Sequence, residues 1–327
     1  MYSALTLNPE KIAMQNRTYG SSGPQTSAIG LGGAFLTDKS FADGVATARR
    51  ALDLGITYFD TSPMYCQGAS QAVFGEALEG VDDIMVATKL GYFAEAQRFH
   101  SQEALLTQFE ENLRLLRRKS VTTLQAHEAD MHHWWSDDTS HSGRLDKDRA
   151  YDFDSAPVLQ TFRQLKEQGR IQHYGISGNT ADHMGRVLDH TNIDTFLLAF
   201  NYDLIRRGAR AVLPRAEQRG IARLVGAIFQ RGLAHPQPEL LDHPPAWMTP
   251  ELKEHFAQLY DLQKQSGMTL ATLGVRYMIA QPEIDVIIIG AGAPDEIEEC
   301  ARAAEAGPLD EELYAKIEAL GLSDTPV

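Results

Sequence analysis

Cysteine is nearly absent from this chain. Cys66 and Cys300 are its only two, far apart and in no CxxC pair. This excludes a disulfide-built fold, offers no cysteine-ligated zinc motif and suits a reducing compartment. Long apolar stretches are also missing: no run reaches the ~18 residues of a membrane helix, and "MYSALTLNPEKIAM" at the start has neither the basic nor the apolar region of a signal peptide. The expected location is therefore cytoplasmic, with no membrane partner. Positive charge is short as well. Thirty Lys and Arg stand against 44 Asp and Glu, a formal net charge of −14, and no local basic patch breaks the pattern. A phosphate backbone would be repelled, so no nucleic-acid partner is expected.

What the 327 residues do have is apolar content, at 43%, enough for a large core. Short β-branched or apolar runs alternate with amphipathic stretches, the pattern of βαβ units and a parallel sheet. Eight such runs occur, at 27–35, 57–62, 84–91, 121–128, 171–177, 193–201, 222–229 and 285–290, each followed by a helical pattern. The helix at 101–117 shows the logic: Ser101 caps it, and Leu105, Leu106, Phe109, Leu113 and Leu116 form one apolar stripe. Helical patterns at 249–267 and 310–321 fall outside the alternation, and a long polar insertion occupies roughly 128–154. The count predicts one α/β domain over residues 1–327, a (β/α)8 TIM barrel with an N-terminal hairpin and extra C-terminal helices; an open doubly wound sheet is the alternative.

In such a barrel the chemistry sits at the C-terminal ends of the strands. The second run, "TYFDTS", ends in Asp60, with Tyr65 shortly after; "VATKLGY" ends the third in Lys89; "LQAHEAD" ends the fourth in His127. Singly, each has an ordinary reading: a turn former, a loop aromatic, a snorkelling base, a core histidine. Together, on three consecutive strands at one face, they form a site. A phenol of pKa ~10 transfers protons poorly near neutrality unless its phenolate is stabilised. An ammonium at 4 Å is worth about 4 kcal/mol at an effective dielectric near 20, enough to lower that pKa by up to about three units. Asp60 can hold Lys89 charged, and His127 can orient a substrate oxygen toward Tyr65. The set suits proton transfer at a carbonyl or carbinol oxygen.

"GITYFDTSPMYCQGASQAVFGEAL", "VATKLG" and "LQAHEAD" resemble the matching segments of the aldo-keto reductases, and the likeness runs from about residue 17 to the end. The resemblance implies an eight-stranded barrel that moves hydride between a nicotinamide cofactor and a carbonyl carbon. It also implies a catalytic tetrad of Asp60, Tyr65, Lys89 and His127, with Tyr65 as general acid or base. Segments such as "FLLAFNYDLI" and "VGAIFQRGLA" look closest to the branch with D-threo-aldose (L-fucose) and pyridoxal dehydrogenases, so an aldehyde, aldose or similar small substrate is implied. A second reading is a cofactor-binding regulatory barrel with little turnover.

Cofactor contacts carry over segment by segment. "GLGGAF" implies Gly33, Ala34 and Phe35 beside the nicotinamide, with Phe35 also toward substrate, and "GISGN" implies Ser177 and Asn179. Ala199 stands where the family usually has glutamine. "LVGAIFQRGLA" implies Phe229, Gln230, Gly232 and Leu233 over the pyrophosphate, with Arg231 a possible phosphate clamp. "IIIGAGAPDEIEEC" implies Gly290, Ala291, Gly292, Glu296 and Glu299 near the adenosine end. Here Gly290 and Glu296 replace the cations that NADP-using members bring to the 2′-phosphate, which predicts NAD as the preferred cofactor with NADP possible. Trp134 and Trp135, in the insertion, are candidate substrate contacts. His132, His133 and His141 have no metal-ligand spacing, so no metal is expected.

Overall fold

The computed structural model describes residues 12–138, 140–230 and 232–323. A hairpin of β1 (Asn16–Thr18) and β2 (Gln25–Ser27) precedes eight parallel strands that close on themselves. In chain order these are β3 (Ile29–Gly32), β4 (Tyr58–Asp60), β5 (Met85–Leu90), β6 (Val121–Ala126), β7 (Ile171–Gly178), β8 (Thr195–Ala199), β9 (Ala222–Gly226) and β10 (Val286–Gly290). β10 closes the ring onto β3, Ile287 against Ile29 and Gly290 against Gly32. The fold is the (β/α)8 barrel expected from the sequence, with the predicted hairpin in place. Tyr19, between the hairpin strands, is 2% exposed and packs with Tyr58, Leu224 and Val286, filling the lower barrel where an open pore would otherwise admit water.

Helices α1 (Phe41–Asp53), α2 (Ala69–Ala77), α3 (Gln102–Leu115), α4 (Pro157–Glu167), α5 (Ala181–His190) and α6 (Leu213–Gln218) follow the first six barrel strands. The seventh crossover carries three: α7 (Pro238–Asp242), α8 (Pro250–Ser266) and α9 (Leu270–Ile279). α10 (Pro294–Glu305) follows β10, and α11 (Glu311–Glu318) is the last helix among the described residues. Hydroxyl side chains cap α1, α3, α8 and α9, as where Ser101 Oγ accepts from Ala104 N at 3.2 Å and Thr269 Oγ1 from Thr272 N at 3.0 Å. The two patterns outside the alternation are α8, inserted before the last strand, and α11. The apolar stripe predicted on α3 faces the barrel, with Leu105, Phe109 and Leu113 buried.

Candidate active site

The register of three adjacent strands brings the four sequence candidates together. Asp60 ends β4, and Lys89 lies near the end of β5 with its main-chain oxygen held by Asn112 Nδ2 of α3 at 2.9 Å. His127 follows β6, its N–H donating to Leu90 O at 2.9 Å. The Lys89 ammonium donates to Asp60 Oδ1 at 2.5 Å and to Thr61 O at 2.9 Å, and lies 4.6 Å from the centre of the Tyr65 ring. Tyr65 meets the His127 imidazole edge to face at 5.5 Å, and Ser62 Oγ sits 2.9 Å from His127 Nδ1. Ser62 thus fixes one ring nitrogen and leaves the other to a ligand.

Burial sets the electrostatics. Asp60 and Lys89 are 2% and 1% exposed. Burial works against the Lys89 charge, but Asp60 and Tyr65 together hold its pKa above the ordinary amine value. Burial also pushes the Asp60 carboxyl up, against the pull of Lys89. His127 is driven well below the usual imidazole value, first by burial and then by the Lys89 charge, so it is neutral near pH 7. The phenol departs from expectation: burial pushes the Tyr65 pKa up, and Lys89, partly cancelled by Asp60, does not reverse the shift. The attraction of the ammonium, expected to lower the phenol pKa unless opposed, is outweighed by the desolvation of the phenolate.

Asp60, Tyr65 and His127 line a cavity of about 280 Å³ at the barrel mouth, with Lys89 buried behind them. Of the further sequence candidates, Ala34, Phe35, Asn179, Phe229, Gln230 and Gly290 line it. The glycine permits a close approach: a Cβ at Gly290 would stand 2.8 Å from the Phe35 ring. Other candidates stand back from the wall. Ser177 is buried and donates to Ala126 O, and Gly33, Leu233 and Ala291 are buried behind the lining. Gly232 O accepts from Tyr260 OH at 3.1 Å on the far side of its loop. Gly292 and Glu296 meet at the start of α10, where the Gly292 N–H donates to Glu296 Oε2 at 2.8 Å. Glu299 lies between α10 and α9, its carboxylate accepting from the Thr269 and Thr272 hydroxyls, away from the cavity. Arg231 lies outside the described residues.

The tryptophans, expected as substrate contacts, do not reach the cavity. Trp134 is fully buried and Trp135 is 5% exposed. Trp134 Nε1 donates to His127 O at 2.8 Å and Trp135 Nε1 to Ala129 O at 2.6 Å. Their rings pack on Phe99 and Phe153, and neither lines the cavity. Each indole found an acceptor in the core, which removes the cost of burying it.

The sequence reading missed Met64, Tyr92, Glu128 and Phe200 in the lining. One signal was available for Glu128, since it directly follows His127 past a strand end. The rest depends on backbone geometry: Tyr92, Glu128, Phe200 and Ala227 all line the cavity with left-handed φ between 54° and 63°, conformations that cost of order 1 kcal/mol or more each for residues other than glycine. Such turns swing side chains from the strand ends over the mouth.

Comparison with known proteins identifies the family. Residues 28–321 match the Aldo/keto reductase family. L-galactose dehydrogenase of Arabidopsis thaliana is 28% identical over 320 residues, covering 93% of each chain. Pyridoxal 4-dehydrogenase of Microbacterium luteolum is 23% identical, covering 87% of this chain and 91% of its own. The holo form of an aldo-keto reductase from Bacillus halodurans superposes with a TM-score of 0.75 at 24% identity over 96% of this chain and 98% of its own, which supports the fold. With the match extending from the first barrel strand past the last helix, the chain belongs to the aldo/keto reductase family.

Proposed function

We propose that the protein transfers hydride between a nicotinamide cofactor and the carbonyl or carbinol carbon of an aldehyde, aldose or similar small substrate, with Tyr65 as the proton donor and acceptor. The observation that carries this is the buried Asp60–Lys89 pair at 2.5 Å, set against the Tyr65 ring, with Asp60, Tyr65 and a neutral His127 lining one cavity. A raised phenol pKa keeps Tyr65 protonated at neutrality, ready to donate to a carbonyl oxygen. In oxidation the phenol must give up its own proton, and Lys89 stabilises the phenolate that results. His127, neutral and oriented by Ser62, donates a hydrogen bond to the substrate oxygen without carrying a charge.

The residues present fit a nicotinamide. Gly32, Gly226 and Gly290 contribute backbone to the wall, Phe35 and Phe229 supply apolar faces, and Asn179 and Gln230 are partners for a carboxamide. When bound, the cofactor supplies the hydride that the protein itself lacks. NAD is the proposed preference. At the start of α10 the Glu296 carboxylate already accepts the Gly292 N–H, filling the position a 2′-phosphate would seek and opposing its charge. Lys39, 3.7 Å from Glu296, is the one cation paired with it among the described residues. With NAD comes the proposal that the physiological direction is oxidation. The names of the two dehydrogenases above support it.

Absorbance of the reduced cofactor, followed with a panel of aldoses and aldehydes, tests the activity directly; silence across the panel favours a regulatory barrel. Comparing kcat/KM for the two cofactors tests the preference. Glu296→Arg should move that ratio toward NADP by about 1–3 kcal/mol, and adding Lys39→Ala should cancel only part of the gain. A wild-type preference for NADP refutes it.

A further inference from the structure

Glu128 is an acid that the proton-transfer chemistry does not use. The chain is pinned on both sides of it, His127 N–H to Leu90 O at 2.9 Å and Ala129 N–H to Ser177 O at 2.8 Å. Between the pins Glu128 takes φ of +54°, a left-handed turn that an acidic side chain adopts at a cost. The turn places Glu128 in the cavity wall. Asp130, two residues on, shows the contrast: it is fully buried, paired with Arg144, and accepts the Asn179 N–H. Glu128 has no ion-pair partner among the described residues. One oxygen accepts from Asn179 Nδ2 at 2.7 Å, and Tyr92 lies against the same carboxylate, with its phenol pKa raised first by burial and then by Glu128.

A carboxylate has about four acceptor positions, so this one has capacity left over. Leu197, Phe200 and Ile288 contribute apolar surface to the same cavity. A ligand filling this space must strip water from Glu128, and only a ligand that brings donors of its own replaces what is lost. Tyr65 and Glu128 line the same cavity, so a substrate seated at the phenol shares that space with the carboxylate.

We infer that Glu128 is the specificity-determining residue of the cavity, and that it selects substrates with a hydrogen-bond donor on the carbon next to the reacting one. This rests on the proposed hydride-transfer reading. The donor is a hydroxyl, as in an aldose, or a protonated amine. A plain alkyl aldehyde, with nothing to offer Glu128, is rejected.

The test uses three aldehydes that differ only at the neighbouring carbon: propanal, 2-hydroxypropanal and 2-aminopropanal. Each variant is judged by the ratio of its kcat/KM values, so a disturbance of the cofactor through Asn179 cancels. Wild type should favour the hydroxy over the plain aldehyde by at least about tenfold, and Glu128→Ala should bring that ratio to within about twofold of unity. Glu128→Gln keeps an acceptor but no charge. It should retain most of the preference if a hydroxyl is the natural donor, and lose it for the amine. An unchanged ratio in Glu128→Ala, or a wild type indifferent to all three, overturns the inference while leaving hydride transfer intact. A wild type inactive on every carbonyl refutes the underlying reading instead. Calorimetric titration with 1,2-propanediol against 1-propanol then decides the selectivity alone, equal affinities refuting it.

Discussion

Tyr65 lies where two opposing effects meet, and its behaviour shows which one each neighbour controls. Tyr65→Phe keeps the ring against His127 and removes only the phenolic hydroxyl. Turnover should fall by about 10²–10⁴, with cofactor affinity, read by fluorescence quenching, nearly unchanged. A variant keeping more than about a tenth of wild-type turnover contradicts the assignment. Lys89→Met acts twice. The phenol loses the one charge that lowers its already raised pKa, so the rising limb of kcat/KM for oxidation moves to higher pH. The variant also strands Asp60, 2% exposed, without its cation, at a cost of about 3–5 kcal/mol by denaturant unfolding. Adding Asp60→Asn should recover much of that stability, because no unpaired buried charge remains, and should recover none of the activity. Recovery of both would show that the pair serves packing and not the phenol.

Elements, unlike residues, were largely legible beforehand. Alternating apolar runs and amphipathic stretches gave all eight strands, because strands buried on both faces must be apolar almost throughout and their crossover helices must carry one apolar stripe. Asp60, Lys89 and His127 stood out for the same reason, as charged or polar residues ending apolar runs. The irregular segments did not give themselves away. Nothing in a period of 2 or 3.6 shows that Glu128 and Tyr92 turn left-handed into the mouth, and a pair of tryptophans reads alike as a lid or as an anchor. The insertion at 128–154 is held by the second: Trp134 on Phe99 and His127 O, Trp135 on Phe153 and Ala129 O. Trp134→Ala should therefore cost about 3–5 kcal/mol of stability, and Trp135→Ala a similar amount. Trp135→Ala should leave KM nearly untouched. Trp134→Ala, which frees the main chain at His127, should lower kcat more than it raises KM. A large rise in KM from either, with melting unchanged, would return them to the substrate.

At the scale of the whole molecule, two opposing effects decide how stability responds to acid. The chain carries a formal charge of −14 near neutrality, and protonation on the way down in pH relieves that self-repulsion, which favours the folded state. Against this stand imidazoles held neutral. His127 is pushed well below its ordinary value by burial and Lys89, and His133, packed 3.9 Å from the Phe99 ring, is lowered to about 4 by burial and the neighbouring His132 and His100. A histidine with a depressed folded pKa binds its proton more readily when unfolded. Its contribution is therefore fully present above the unfolded pKa of about 6.5 and is lost as pH falls toward the folded value. Between pH 7 and 5, His133 alone should cost about 1 kcal/mol after allowance for its partial exposure, with His127 adding to it. The charge effect acts over long distances between exposed groups and is largely screened within a Debye length of about 4–5 Å at 0.5 M salt, whereas the buried imidazoles are screened little. The melting temperature should therefore fall from pH 7 to 5, and fall more steeply in high salt, where the opposing relief is removed. His133→Leu, which fills the space without titrating, should flatten the slope at both salt concentrations. A slope that high salt abolishes, or that His133→Leu leaves unchanged, would place the acid sensitivity in the surface charge and not in these rings.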